Sequence, residues 1–183
     1  MTRDEALTLV KAHVKNRNLI KHMLAVEAVM RRLARHLGAD EEDWSLAGLL
    51  HDIDYDQTAD DPAAHSQVGA EILEREGLPE HIVYAVKVHN HYHGLPRKAL
   101  LDKALYAVDP LTGLIVAAAL IHPDKKLASI DSEFVLNRYR EKSFARGADR
   151  SVIASCDELG LSLEEFVSLG LEAMQGISKE LGL

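Results

Sequence analysis

Residues 47–54 read Ala47-Gly48-Leu49-Leu50-His51-Asp52-Ile53-Asp54, and the rest of the chain is arranged around them. An apolar run ends in an adjacent histidine and aspartate, and acidic, turn-forming sequence follows at once. Neighbouring residues on a helix point about 100° apart, so one straight helical face cannot present both. At a helix end the backbone can turn, and the pair can converge on one point. An imidazole and a carboxylate aimed together at the edge of a core make a metal corner. The competing reading of the dipeptide is a helix cap.

The 183 residues suit a single domain, 1–183, with enough chain to bury a substantial core. Apolar content of 47% and charged content of 27% are ordinary for a globular protein. A net charge of −8 disfavours a nucleic-acid polymer as partner, because phosphate backbones demand basic surface. It leaves room for a small phosphorylated substrate, whose charge a few local cations or a metal can offset. Cys156 is the only cysteine, so no intramolecular disulfide can form; this fits a reducing cytoplasm. Met1-Thr2-Arg3-Asp4-Glu5 lacks the apolar core of a signal peptide, and the expected location is cytoplasmic. The stretch from Ala104 to Ile121 is nearly all apolar, but Asp109-Pro110 and Thr112-Gly113 interrupt it. Two short buried helices are expected there rather than a membrane span.

Helical periodicity runs throughout, and strand alternation is nowhere sustained, so the expected class is all-α. Thr2 and Glu5 form a capping-box pattern opening a helix to about Val14. Asn16 or Asn18 can cap the next, in which Leu19, Met23, Val26, Met30, Leu33 and Leu37 recur at helical steps until Gly38. Asp40-Glu41-Glu42-Asp43 places acid at the start of a third helix, as the macrodipole favours, and this one ends at His51-Asp52. Residues 53–63 read as loop. A helix through Val68, Ile72 and Leu73 ends at Gly77, and another from Pro79 reaches the cluster His89-Asn90-His91-Tyr92-His93. Beyond Pro96 two helices meet near Asp109-Pro110. Shorter helices are expected over 132–140 and 151–159, and a last one over 163–181. Trp44 reads as core.

Several other residues can carry chemistry. His22 is either a satisfied core histidine or a ligand, and His65 either a cap or a ligand. His89, His91 and His93 lie within five residues and suit metal or phosphate binding if they are not a solvated loop. Asp109 is the only charged residue between Lys103 and His122. A carboxylate buried there alone would cost several kcal/mol, so it should pair, protonate, cap a helix or bind a metal. Lys87, Arg97, Lys103, Lys125, Lys126, Lys142 and Arg146 are phosphate partners or solvated surface cations. Cys156 reads as packing.

Taken in order, His22, His51-Asp52, His65, His89 and Asp109 resemble the HD superfamily of metal-dependent phosphohydrolases, an all-helical fold named for its His-Asp pair. The resemblance covers roughly residues 17–121, and a helical extension, about 122–183, follows it. It rests on Ile20-Lys21-His22-Met23, on Leu50-His51-Asp52-Ile53 and on Ala107-Val108-Asp109-Pro110. It implies that His22, His51, Asp52 and Asp109 hold one divalent ion. In binuclear members His65 and His89 would add a second ion, with Asp52 bridging. The Gly-Tyr-Pro segment of the cyclic-di-GMP-degrading branch is missing, and Asn90 follows His89 where that branch has a second histidine. The segment from His65 to Asp109 is similar to HD proteins that hydrolyse diadenosine tetraphosphate. Over its whole length the chain looks most like short bacterial predicted HD hydrolases.

Mixed imidazole and carboxylate ligands suit Mn, Fe, Co, Ni or Zn better than Mg or Ca. Such an ion makes hydroxide available near neutral pH and polarises a phosphoryl oxygen. The expected activity is hydrolysis of a nucleotide or another small phosphate ester, with Asp52 at its centre. Asp54 would orient the water or hold a histidine. His91, His93, Lys103, Lys125 and Arg146 are the expected substrate contacts. Two alternatives share the scaffold: a di-iron oxygenase, and a non-catalytic metal- or nucleotide-binding module. A monomer or a homodimer is compatible with the chain.

Overall fold

A computed structural model describes residues 1–183, and it is helical throughout, with no strand. Helix α1 (Arg3–His13) opens with the Thr2–Glu5 capping box. Asn16 caps α2 (Arg17–Leu37) by accepting from the amides of Asn18 and Leu19, and Gly38 ends it at φ 69°, where a Cβ would be strained. Asp40 caps α3 (Glu41–Leu50). There follow α4 (Tyr55–Thr58), α5 (Gln67–Arg75) and α6 (Glu80–His89), then a 3-10 turn over His91–His93. Helix α7 (Leu100–Ile121) leads into the C-terminal elements α8 (Ser132–Arg140), α9 (Arg150–Ala154), α10 (Leu163–Gly176) and α11 (Ser178–Leu181).

Helix α7 is the axis of the fold, packed against α2, α3, α6, α8, α9 and α10. By length and composition it is apolar enough to cross a membrane. Here Leu105, Val108, Leu111, Leu114 and Ile115 are fully buried in the hydrophobic core. That core is one cluster running from Ala6 to Leu181, with Trp44 inside it.

Four elements differ from the sequence-based expectation, one of them the helix expected over 151–159, which is α-helical only to Ala154 and continues as a 3-10 helix over Ser155–Leu159. Pro110 does not split α7 in two. An interior proline costs about 3 kcal/mol, whereas burying each of Leu111, Leu114 and Ile115 returns roughly 1.5–3 kcal/mol, so packing overrides the local break. Asp109 therefore lies inside a helix and caps nothing. Residues 55–58 form one helical turn within the expected loop. The last helix is interrupted at Ile177, which adopts φ −117° and ψ 22° and divides α10 from α11.

Contact between α2 and α3 depends on Gly48. A Cβ there would lie 3.0 Å from the backbone of Val26 and Glu27, closer than real Cβ atoms comfortably sit. The missing side chain lets the two helices touch, which brings the C-terminal end of α3 up to His22.

Candidate metal centre

His51 caps α3 at its C-terminal end, and a series of turns carries the chain through Asp52, Ile53 and Asp54 into α4. His51 and Asp52 are both buried. His22 reaches in from α2, Asp109 from α7, His89 from the end of α6, and His65 from the turn before α5. Four helices, α2, α3, α6 and α7, and one turn deliver side chains far apart in sequence to one carboxylate.

The two oxygens of Asp52 face different partners. Oδ2 lies 3.5 Å from His51 Nε2 and 3.7 Å from His22 Nε2. The nitrogens of His22 and His51 are 3.2 Å apart, and Asp109 Oδ1 stands 3.1 Å from the first and 3.9 Å from the second. Oδ1 of Asp52 lies 3.5 Å from His89 Nε2 and 3.6 Å from His65 Nε2. Two histidine pairs thus flank one carboxylate, one pair on each oxygen.

Each histidine is oriented through its other nitrogen. Nδ1 of His51 donates to the Gly48 carbonyl at 2.8 Å, and Nδ1 of His89 to the Val86 carbonyl at 2.6 Å. Nδ1 of His65 donates to Asp54 at 3.1 Å. The Thr112 hydroxyl donates to the Asp109 carbonyl at 2.9 Å, which leaves its oxygen to accept from His22 Nδ1 at 3.2 Å. With every Nδ1 engaged as a donor, each neutral ring directs its Nε2 lone pair inward, the arrangement a metal ligand requires. His89 Nε2 is buried and has no hydrogen-bond partner. A buried polar atom left alone is costly, and a cation among these nitrogens and carboxylates would satisfy it. The clusters His22–His51–Asp109 and His51–Asp52–His89 each converge tightly enough to hold an ion.

Proton affinities follow this crowding. Burial pushes His51 down. Burial also opposes charge on His22 and His89, but the adjoining carboxylates outweigh it, Asp109 at His22 and Asp52 at His89. The net shifts are upward, to about 9 for His89. Burial would raise Asp52 and Asp109, yet the surrounding imidazoles hold both below the usual carboxylate range. In the metal-free protein His22 and His89 therefore hold a proton more readily than a free imidazole does, and His51 less readily.

Asp54 holds a histidine and does not face the centre. Its buried carboxylate accepts from His65, from the Ser66 amide at 2.8 Å and from the Gly69 amide at 2.9 Å. It serves as an N-terminal cap for α5 and fixes the His65 ring in one step. Ser66 takes φ 69°, a left-handed conformation that turns its amide to Asp54. Gly69 leaves just enough room, since a Cβ would sit 3.3 Å from the Asp54 carboxyl carbon.

The expected substrate contacts are dispersed. His93 donates to the His65 carbonyl at 3.0 Å and so braces the turn, while His91 is exposed on the same 3-10 turn. The Lys103 ammonium pairs with Glu158 at 3.3 Å. Lys125 is exposed in a turn at φ 51°. Arg146 is exposed on the loop whose Ala145, Gly147 and Ala148 face His22 and Asp109 across a cleft of about 310 Å³. Arg150 ties that loop down, donating at 2.9 Å to the Ala145 carbonyl and at 2.6 Å to those of Ala148 and Phe144. Sequence reading missed Thr112, whose only signal was its place three residues after Asp109, and Arg150, whose acceptors are all backbone. It also missed Tyr55, which lies edge-on to His65 with centroids 5.0 Å apart.

An HD domain model matches residues 19–119. Among curated proteins, ribonuclease Y of Desulfotalea psychrophila is 30% identical over 169 residues, covering 90% of this chain and 32% of its own. Ribonuclease Y of Lactobacillus acidophilus is 25% identical over 182 residues, 97% of this chain and 33% of its own. The chain thus spans about a third of the length of these relatives. No solved structure matches it. The matched region runs from α2, which carries His22, into α7, which carries Asp109, and encloses Asp52 with the five residues gathered round it, and by it the chain belongs to the HD-domain family.

Proposed function

We propose that this chain is a metal-dependent phosphohydrolase that cleaves a nucleotide or another small phosphate ester. The observation that carries this reading is the position of Asp52, with one oxygen toward His22 and His51 and the other toward His65 and His89. His22, His51, Asp52 and Asp109 would hold one divalent transition-metal ion. His65, His89 and the second oxygen of Asp52 would hold another. When bound, such ions supply Lewis acidity, which lowers the pKa of water and draws charge from a phosphoryl oxygen.

The residues themselves do the positioning. The Nδ1 donors of the four histidines fix ring orientation, and the Asp54 carboxylate makes His65 a stronger donor through its shared proton. Asp109 balances positive charge on the open side of the site, where its side chain is 37% exposed. The cleft between α7 and the 145–148 loop gives a phosphate ester access to His22 and Asp109.

The test is hydrolysis of a panel of mononucleotides and simple phosphate esters with Mn, Co, Ni or Fe, in wild type and in Asp52→Ala. Turnover that requires added metal and disappears in the variant supports the reading. Intact, metal-loaded protein inert across the panel contradicts it.

A second reading has one specific support: similarity to ribonuclease Y extends over 90% of this chain, beyond the HD core. On that reading the ester is an RNA phosphodiester. The net charge of −8 argues against a long polymer and favours a short one. Cleavage of a short oligoribonucleotide faster than any mononucleotide under the same metal decides for it.

A further inference from the structure

The access cleft at Asp109 does not end there. Helix α7 carries Asp109, Gly113, Val116 and Leu120 at steps of four, three and four, one continuous face about 16 Å long. His22 and Gly113 line both that cleft and a second groove of about 440 Å³, set between α2, α7 and the end of α11. Gly113 is exposed inside α7, and a Cβ there would meet nothing within 4 Å. No packing demand explains a residue that weakens a helix relative to alanine, and its missing side chain keeps the two spaces joined. We infer that the groove is the base-binding subsite of the metal centre and that the ester cleaved there is a nucleoside phosphate. This rests on the phosphohydrolase reading above, which puts the phosphate at His22 and Asp109.

The chemistry of the walls selects the occupant. Ala25, Val116, Leu120 and Leu181 supply an apolar surface, of which Leu120 stands 50% exposed. Asn18 and Lys21 line the same groove with polar groups not otherwise engaged. Asn18 donates its backbone amide to Asn16 and leaves its side-chain amide uncommitted. Lys103 is the only lysine in an ion pair, so the Lys21 ammonium is free as well. That ammonium lies beside the end of α11, where a Cβ on Gly182 would come within 3.0 Å of Nζ. An acyl chain would strip water from the amide and the ammonium and give nothing back, and a sugar would set its hydroxyls against aliphatic carbon. A nucleobase meets both demands. Its faces lie on the apolar wall, and its edge offers ring nitrogens and carbonyl oxygens to Asn18 and Lys21. The volume of about 440 Å³ falls in the range of pockets that hold a compact organic ligand.

The experiment follows the methyl signals of Val116 and Leu120 by NMR, in the full chain with and without zinc, during titration with AMP, GMP, CMP, UMP and inorganic phosphate. At least one nucleotide should shift both methyls saturably, and inorganic phosphate should shift neither. Gly113→Phe projects a ring into space that the wild type leaves open, so it should keep the wild-type melting temperature and weaken that nucleotide at least about tenfold. Lys21→Met is the companion, and should raise KM for the same nucleotide severalfold with a smaller change in kcat. No methyl shift with any nucleotide, or equal affinity in wild type and Gly113→Phe, overturns the subsite. Saturable binding without hydrolysis under any metal would sink the phosphohydrolase reading and leave the groove as a nucleotide site. Nucleotide hydrolysis at equal kcat/KM in wild type and Gly113→Phe would do the reverse.

Discussion

The two flanks of Asp52 are built differently. On one, His22, His51 and Asp109 come from α2, α3 and α7, whose neighbouring residues are fully buried core: Met23, Leu50 and Val108. Their positions are set by close packing, including the α2–α3 contact that Gly48 permits. On the other, His65 sits in a turn between short helices, and its ring is held by Asp54, its carbonyl by Asn90 and His93, and its successor Ser66 by a left-handed backbone. One flank is fixed by the core and the other by a hydrogen-bond network. The difference teaches that the first flank should survive local damage, whereas the second should be separable from the fold.

The strongest break is Asp52→Ala, which removes the only group common to both flanks. Activity in a phosphoester assay should fall more than about a thousandfold, with little change in the circular dichroism of the metal-free protein. Next is Asp54→Asn. An amide cannot accept from His65, Ser66 and Gly69 together, so metal affinity on the His65–His89 flank should drop about 10- to 100-fold while the His22–His51 flank keeps its own. Competition with a chelator reads the two affinities. Gly48→Ala acts on the opposite flank: forcing a Cβ against the α2 backbone should cost about 1–3 kcal/mol in denaturant unfolding.

Acidity gives a smaller, reversible handle. His89 is raised from 6.5 to about 9 by its carboxylate neighbour against the effect of burial, so the protonated ring stabilises the metal-free fold. That stabilisation is complete below pH 6.5 and is lost as pH rises through about 9. In EDTA, the melting temperature should therefore fall across this window, and a flat or rising profile contradicts it. Metal must displace the same proton, so metal binding should release protons and strengthen with pH over the same range. The least effect is expected from Thr112→Val, which removes the acceptor of His22 Nδ1 but leaves α7 packed. Affinity on that flank should weaken less than about tenfold in the same chelator assay.

Much of this contrast was legible in the sequence, though unevenly. The helix caps Thr2, Asn16, Asp40 and Gly38 announce themselves because a cap is a local event with a short residue signature. His51-Asp52 and its partners were legible because chemistry restricts which residues can stand there. Pro110 misled because its local cost is visible while the burial that outweighs it is tertiary. The turn at 55–58 and the break at Ile177 carry no strong punctuation. Asp54 was legible as either a water-orienting or a histidine-holding group, and only the folding of Ser66 and Gly69 onto it decides between them.

The most direct test is elemental analysis of protein purified without a histidine tag or added metal, in wild type, His65→Ala and Asp52→Ala. Two flanks sharing one carboxylate predict about two transition-metal ions per chain, about one in His65→Ala and nearly none in Asp52→Ala. Wild type and His65→Ala carrying the same single ion would contradict the account, leaving the His22–His51 flank as the whole metal centre.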